Sequence, residues 1–309
     1  MAASGSHLTV YGAIAANVAI AITKFIAAGF TGSAAMLAEG IHSVVDTLDG
    51  TLLLLGMRRA RRDPTPDHPF GHGKELFFWS LMVAVLIFGM GGGVSVFSGV
   101  YYLLHPRALG SPGWNYAVLA AAALFDGASF VIGVRQFQKE RREGPFWDAL
   151  QASKNPAVYT VIAEDGAALG GVAAAALGVF LSHWLDDPAY DAAASVVIGC
   201  ILCIVAVVLV HEARGLLVGE GVRPETAEDI RGIALSEAGV TGAARPLTMY
   251  MGPEEVLVAL RVDFAPTGSA GQLDKAVAAI KHRIRAKYPR MKRIYVEART
   301  GGRAVESPH

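Results

Sequence analysis

The feature that most constrains this chain is a series of apolar stretches of similar length. A bilayer core about 30 Å thick takes roughly 20 residues of helix. Six segments reach that length, near 8–30, 34–57, 76–104, 114–137, 157–182 and 190–212. The third is long enough to tilt or to project beyond the bilayer. The 53% hydrophobic and 17% charged content averages two unlike parts, because residues from 214 onward have the charge density of an ordinary globular domain. The expected fold is an α-helical membrane protein. A six-helix transmembrane domain would cover 1–213, a small α+β cytosolic domain 214–300, and a disordered tail 301–309. No basic n-region precedes the first apolar run, so a cleaved signal peptide is not expected.

Charge placement predicts orientation. The loop between spans two and three carries Arg58, Arg59, Arg61, Arg62 and Lys74, and the loop between spans four and five carries Lys139, Arg141, Arg142 and Lys154. The opposite loops hold almost no base: none in the turn near Thr31, Arg107 alone in 105–113, only acids in 183–189. Basic loops stay in the cytoplasm, and an even number of spans then leaves both termini there. A bacterial inner membrane is the expected location. No nucleic-acid partner is expected. Cys200 and Cys203 fall inside the sixth span and read as small buried residues rather than a redox or zinc pair.

From Pro224 the periodicity changes. Residues 224–238 read as an amphipathic helix, followed by strands near 243–251 and 255–264, the second alternating Val256, Val258, Leu260, Val262 and Phe264. A helix near 271–287 and a strand at 291–298 complete an αββαβ order, which suits a sandwich with its helices on one face of the sheet. Nothing there has the pattern of a nucleotide site or a catalytic constellation, so a dimerisation or regulatory module is expected.

The chemistry-bearing residues are ionisable groups where lipid should be. Span two holds Glu39, His42, Asp46 and Asp49, whose offsets of three, four and three set them on one helical stripe. Each charge at a bilayer centre costs about 2.5–3.5 kcal/mol on insertion scales, so the stripe must face the bundle interior or water. Span five adds Glu164 and Asp165, followed by Gly166, Ala167 and Ala168, which allow close helix approach. A His and an Asp one turn apart offer nitrogen and oxygen to one ion, and a second helix must complete the shell. Such a set suits Zn²⁺, whereas carboxylate enrichment leans toward Mn²⁺ or Fe²⁺. Ligands must lose protons to bind metal, which couples metal entry to proton release; His42 is the member whose ordinary pKa lies nearest neutrality. The competing interpretation is a structural His42–Asp46 pair. Glu39 and Asp49, nearer the ends of the stripe, suit a vestibule or a structural role as well as ligation. Lys24 and Asp126 read as solvated cavity residues or a packing pair. In the loop between spans two and three, Asp67, His68 and His72 form a second candidate metal cluster, and an ordinary solvated loop is the alternative.

An enzyme is not expected. Neither HExxH nor GxSxG occurs, Gly71-His72-Gly73-Lys74 lacks Walker spacing, and Gly89-Met90-Gly91-Gly92-Gly93 lies mid-span as packing rather than as a phosphate loop. A membrane metal sensor or scaffold that moves nothing is the reading from another class.

The stretch Thr31 to Asp46 (TGSAAMLAEGIHSVVD), the His-Pro-Phe-Gly-His-Gly-Lys loop at 68–74, Glu164-Asp165 and the segment from Met249 through Gly252-Pro253-Glu254 to Val258 resemble the cation diffusion facilitator family, and within it the zinc transporter nine-like branch. The resemblance implies a homodimer of six-helix protomers in the bilayer. Each protomer would move a divalent cation, Zn²⁺ first and Mn²⁺ or Fe²⁺ as the alternative, out of the cytosol in exchange for protons by alternating access. The metal is substrate, and no prosthetic group is implied. His42 and Asp46 match the family's ligand pair on span two, and Asp165 matches one of the pair on span five. Val161 stands where zinc exporters commonly have His, and it cannot ligate; Glu164 is the substitute at hand, although it points about 100° away from Asp165 on a helix. His68 and His72 match a second family metal site, whose aspartate falls on Thr65 with Asp67 nearby. Thr241, Arg261 and Glu297 stand where other members bind zinc in the cytosolic domain, so no sensing site is expected there. The resemblance also implies an interlock from Lys74 to Glu212 or Glu220.

Overall fold

A computed structural model describes residues 3–107, 110–140, 156–266 and 269–300. Arg141, Arg142 and Lys154, and the tail expected to be disordered at 301–309, lie outside the described residues.

The chain divides into two compact units. The first runs to Arg58 and resumes over Leu76–Arg214; the second combines Arg59–Glu75 with the chain from Gly215 onward. The loop expected to belong to the membrane part therefore groups with the carboxy-terminal part.

The first unit is helical: α1 (Ala3–Thr31), α2 (Ala34–Ala60), α3 (Glu75–Leu86), α4 (Val94–Leu104), α5 (Gly113–Glu140), α6 (Pro156–Trp184) and α7 (Ala189–Val218). Helices α3 and α4 are one rod with a π-helical turn, Ile87–Gly93, between them. Among the described residues, four helices are long and apolar enough to cross a membrane: Glu75–Leu104, Gly113–Lys139, Tyr159–Trp184 and Ala189–Val218. Six such spans were expected. The apolar part of α1 among the described residues is the shorter Asn17–Thr31. Helix α2 carries Glu39, Asp46, Asp49 and a basic end, which lower its hydropathy. Gly32, at φ 70°, makes the turn from α1 to α2, its N–H returning to the Ala28 carbonyl at 2.8 Å.

Helix α7 crosses the α3–α4 rod at backbone contact. A Cβ on Gly92 would strike Cys203 Sγ, and one on Gly199 would meet Val96 N at 2.7 Å and Gly92 O at 2.8 Å. At such separations small residues are obligatory. Ser195 Oγ donates to the Ser95 carbonyl at 2.9 Å and lies 3.2 Å from Ser98 Oγ, so the crossing is also bonded. Cys200 is exposed and Cys203 half-buried, against the expectation of two buried thiols. An apolar span tolerates a weakly polar thiol on its outer surface.

In the second unit, α8 (Pro224–Leu235) is followed by β1 (Val240–Ala243), β2 (Leu247–Gly252), β3 (Glu255–Phe264), α9 (Ala270–Lys287) and β4 (Arg293–Thr300). The order is αβββαβ rather than the expected αββαβ. The stretch read as one strand at 243–251 breaks before Pro246, which has no N–H for a ladder. Strand β3 is central: β4 pairs with it in parallel along Leu257–Phe264, so antiparallel β1 and β2 share its other edge end to end. Val258, Leu260 and Val262 point from β3 into a core with Ile230 of α8 and Ile280 and Ile284 of α9. Each such buried side chain contributes about 1.5–3 kcal/mol. A capping box opens α9, with Ser269 and Gln272 satisfying each other's backbone amides.

Candidate functional site

Helix α2 carries the stripe and is anchored at its start. Ser33 Oγ accepts from the Met36 N–H, and Asp191 of α7 accepts from Ser33 Oγ at 2.6 Å and the Ala34 N–H at 2.6 Å. A buried carboxylate thus caps the positive end of α2 from another helix. The apolar positions of α2 then follow a helical period, and the polar ones fall inward.

Along that face, His42 Nδ1 lies 3.2 Å from Asp46 Oδ1, with His42 buried and Asp46 25% exposed. The two are close without being aligned as a hydrogen bond, so both of these atoms and His42 Nε2 stay without one. One turn earlier, Lys24 of α1 donates to Glu39 Oε2 and to Ser43 Oγ, each at 2.9 Å. The remaining Glu39 oxygen is buried with no partner, as are both oxygens of Asp49.

On α6, Asp165 accepts from Ser129 Oγ of α5 at 2.8 Å. Glu164 keeps a buried Oε1 without a donor, within electrostatic reach of Asp49, Asp46 and Asp165. Val161 is exposed and has no ligating atom. Asp126 of α5 faces the same group, acting on Lys24, His42 and Asp165. Seven buried atoms without hydrogen-bond partners therefore gather on Glu39, His42, Asp46, Asp49 and Glu164. Leaving one such group unsatisfied costs about 1–3 kcal/mol, more when charged, so a concentration of them makes this the candidate functional site of the unit. Among the described residues, however, no three His, Cys, Asp or Glu side chains converge closely enough to hold a metal. The pair on α2 supplies two, and Asp165 is turned to Ser129.

The loop cluster sits in the second unit. His68 and His72 rings lie 4.7 Å apart, and His68 Nδ1 is 3.4 Å from Thr65 Oγ1, while Asp67 is exposed. The loop packs on the sheet: Arg293 lies over the Phe70 ring at 5.3 Å, and a Cβ on Gly73 would strike the Met251 carbonyl. Lys74 donates to the Leu217 carbonyl at 3.3 Å and approaches Met249 Sδ at 3.6 Å, not Glu212 or Glu220 as expected. The last carbonyls of α7 have no helical partner and carry the negative end of its dipole, which suits an ammonium.

Four residues of this first-unit network are not among the expected site residues: Lys24, Asp126, Ser129 and Asp191. A lysine and two further acids inside apolar segments were the available signal; Ser129 carried none.

The family signature described as the cation efflux transmembrane domain matches residues 10–218. The human "Proton-coupled zinc antiporter SLC30A9, mitochondrial" is 32% identical over 243 residues, covering 78% of this chain and 43% of that protein. "Metal tolerance protein C4" of Arabidopsis thaliana is 29% identical over 236 residues, 76% of this chain and 52% of its own length. "Magnetosome protein MamM" of Paramagnetospirillum magneticum is 26% identical over 302 residues, 94% of this chain and 87% of its own. The chain thus spans less than half the length of the antiporters it matches. With the signature covering the membrane helices and the acids held inside them, this chain belongs to the cation efflux family of membrane transporters, the cation diffusion facilitators.

Proposed function

We propose that the chain is a divalent metal cation/proton antiporter that exports Zn²⁺ from the cytosol by alternating access. The observation that carries this reading is the set of buried, unpartnered His and carboxylate atoms shared by α2 and α6. Deprotonated His42, Asp46, Asp165 and Glu164 would take the ion from the cytosolic side. Protonation of the same groups on the opposite side would release it, because metal and proton compete for the same lone pairs. The name of the human relative supports zinc and proton coupling. The carboxylate-rich α6 half, with Val161 in place of a nitrogen donor, favours Mn²⁺ or Fe²⁺ as the second reading. The proposal includes six spans, a bacterial inner membrane with both termini cytoplasmic, and a homodimer joined through the second unit. His68 and His72, with Asp67, would form an auxiliary loop site, and Glu39 and Asp49 a vestibule.

Proteoliposomes loaded with a pH-sensitive dye test this. A Zn²⁺ gradient should drive proton movement in the native chain, and Asp46→Ala should abolish it. Unchanged flux in that variant refutes the site. His42→Asp should shift the competition series from Zn²⁺ toward Mn²⁺, and an unaltered series removes His42 as a ligand.

A further inference from the structure

Lys24 is 1% exposed and Glu39 0%, and the two meet at 2.9 Å one turn from His42. An ion pair this deep costs desolvation that its attraction only partly offsets, so its presence beside the cation site asks for a reason. Glu39 lies on the same stripe as His42 and Asp46, and its second oxygen has no donor. That oxygen abuts α6: a Cβ on Gly171 would collide with Glu39 Oε1, so only glycine leaves the carboxylate room there. Without Lys24, Glu39 would be a carboxylate between the two ligand helices, one turn from a His–Asp pair and open to a divalent cation. The ammonium occupies that role, with Ser43 holding it in place at 2.9 Å.

We propose that Lys24 is a built-in cation that keeps Glu39 out of the metal's shell and thereby determines which metals this site accepts. The inference rests on the transport reading above. With Glu39 neutralised, the site offers imidazole and a limited number of carboxylates, which suits Zn²⁺; with Glu39 released, it gains an oxygen donor that oxygen-seeking ions use best. Lys24 is a positioning residue, since it acts through Glu39.

Titration calorimetry of the purified full chain in detergent, with Zn²⁺ and with Mn²⁺, tests this alongside the dye-loaded proteoliposomes. Lys24→Met should tighten Mn²⁺ binding by about tenfold relative to Zn²⁺, as one added oxygen donor favours the harder ion. Adding Glu39→Gln to that variant should erase the gain, and Lys24→Arg, which keeps the charge, should retain the native metal preference. The Lys24→Met/Glu39→Gln pair replaces an ion pair by neutral groups of similar size, so it keeps the test available if the single variant does not fold. A Lys24→Met variant that folds with the native Zn²⁺-to-Mn²⁺ ratio overturns the proposal, as does a gain that persists when Glu39 is also replaced. If only the double variant folds, a preference shifted from native overturns it and a native preference supports it. A native chain that neither binds metal nor moves protons against it overturns the transport reading itself, and this inference with it.

Discussion

Asp191 is the acceptor on which the start of α2 depends, and its replacement has a calculable cost. It is 1% exposed and takes hydrogen bonds at 2.6 Å from Ser33 Oγ and at 2.6 Å from the Ala34 N–H. Asp191→Ala leaves the Ser33 and Ala34 donors without an acceptor, at about 1–3 kcal/mol each. It also removes the longer 3.4 Å bond from the Ala35 N–H and withdraws a charge from the helix N-terminus worth up to about 2 kcal/mol. The expected loss is about 2–8 kcal/mol. Asp191→Asn keeps one acceptor and no charge, so it should fall near half of that. Ser33→Ala, which removes one donor to Asp191 and the acceptor of the Met36 N–H, should cost about 1–2 kcal/mol. The assay is equilibrium unfolding of the purified chain in mixed micelles, titrated with dodecyl sulfate and followed by far-ultraviolet circular dichroism. The order Ala, then Asn, then Ser33→Ala is the content of the prediction. An Asp191→Ala loss below about 1 kcal/mol, the net value of a single hydrogen bond, refutes the reasoning. So does an Asn variant as damaged as the Ala variant.

In the second unit, the Lys287 ammonium and the Tyr288 hydroxyl, each 2.7 Å from Asp229, hold its carboxyl below the usual carboxylate range. A depressed folded-state pKa gives stability that is present above the ordinary value and lost as pH falls through the folded one. The native chain's advantage over Asp229→Asn in chemical unfolding should therefore be larger near neutrality than in strong acid, and a gap that widens on acidification contradicts it. Gly73→Ala places a Cβ against the Met251 carbonyl and should weaken loop docking by about 1–3 kcal/mol; trypsin should then cut faster at Arg61 or Arg62, and an unaltered rate counts against the contact. Ser269→Ala removes the α9 cap and should cost about 1 kcal/mol, measured as a lower denaturant midpoint for the sheet unit.

The helix that carries the site could be read in the sequence because its charges interrupt an apolar run at helical spacing. Glu39, His42, Asp46 and Asp49 needed no tertiary information to be placed on one face. Their partners did. Lys24 is 15 positions from Glu39, Asp191 is 158 from Ser33, and Ser129 is 36 from Asp165, and no periodicity links such pairs. The alternation of β3 was equally plain, whereas the break before Pro246 was lost because its neighbours have strand composition on both sides. An acid for Lys74 is what the family resemblance implies; here the helix terminus offers it a carbonyl instead. The docking of 59–75 on the sheet depends on a glycine with no room for a side chain, which composition reads only as a loop.

The wide turn at Ile87–Gly93 gives the α3–α4 rod an adjustable length. A π turn holds a residue that an α-helix would not need, so the rod carries one position of slack. Deleting a residue there would let the ladder return to its ordinary spacing without breaking the helix. Everything beyond would then keep about its present phase, with Ser95, Ser98 and Gly99 still on the Ser195 seam. Removing a residue from a purely α-helical stretch would instead turn them by about 100°. The wide turn thus lets the rod absorb a change in length without losing its seam with α7.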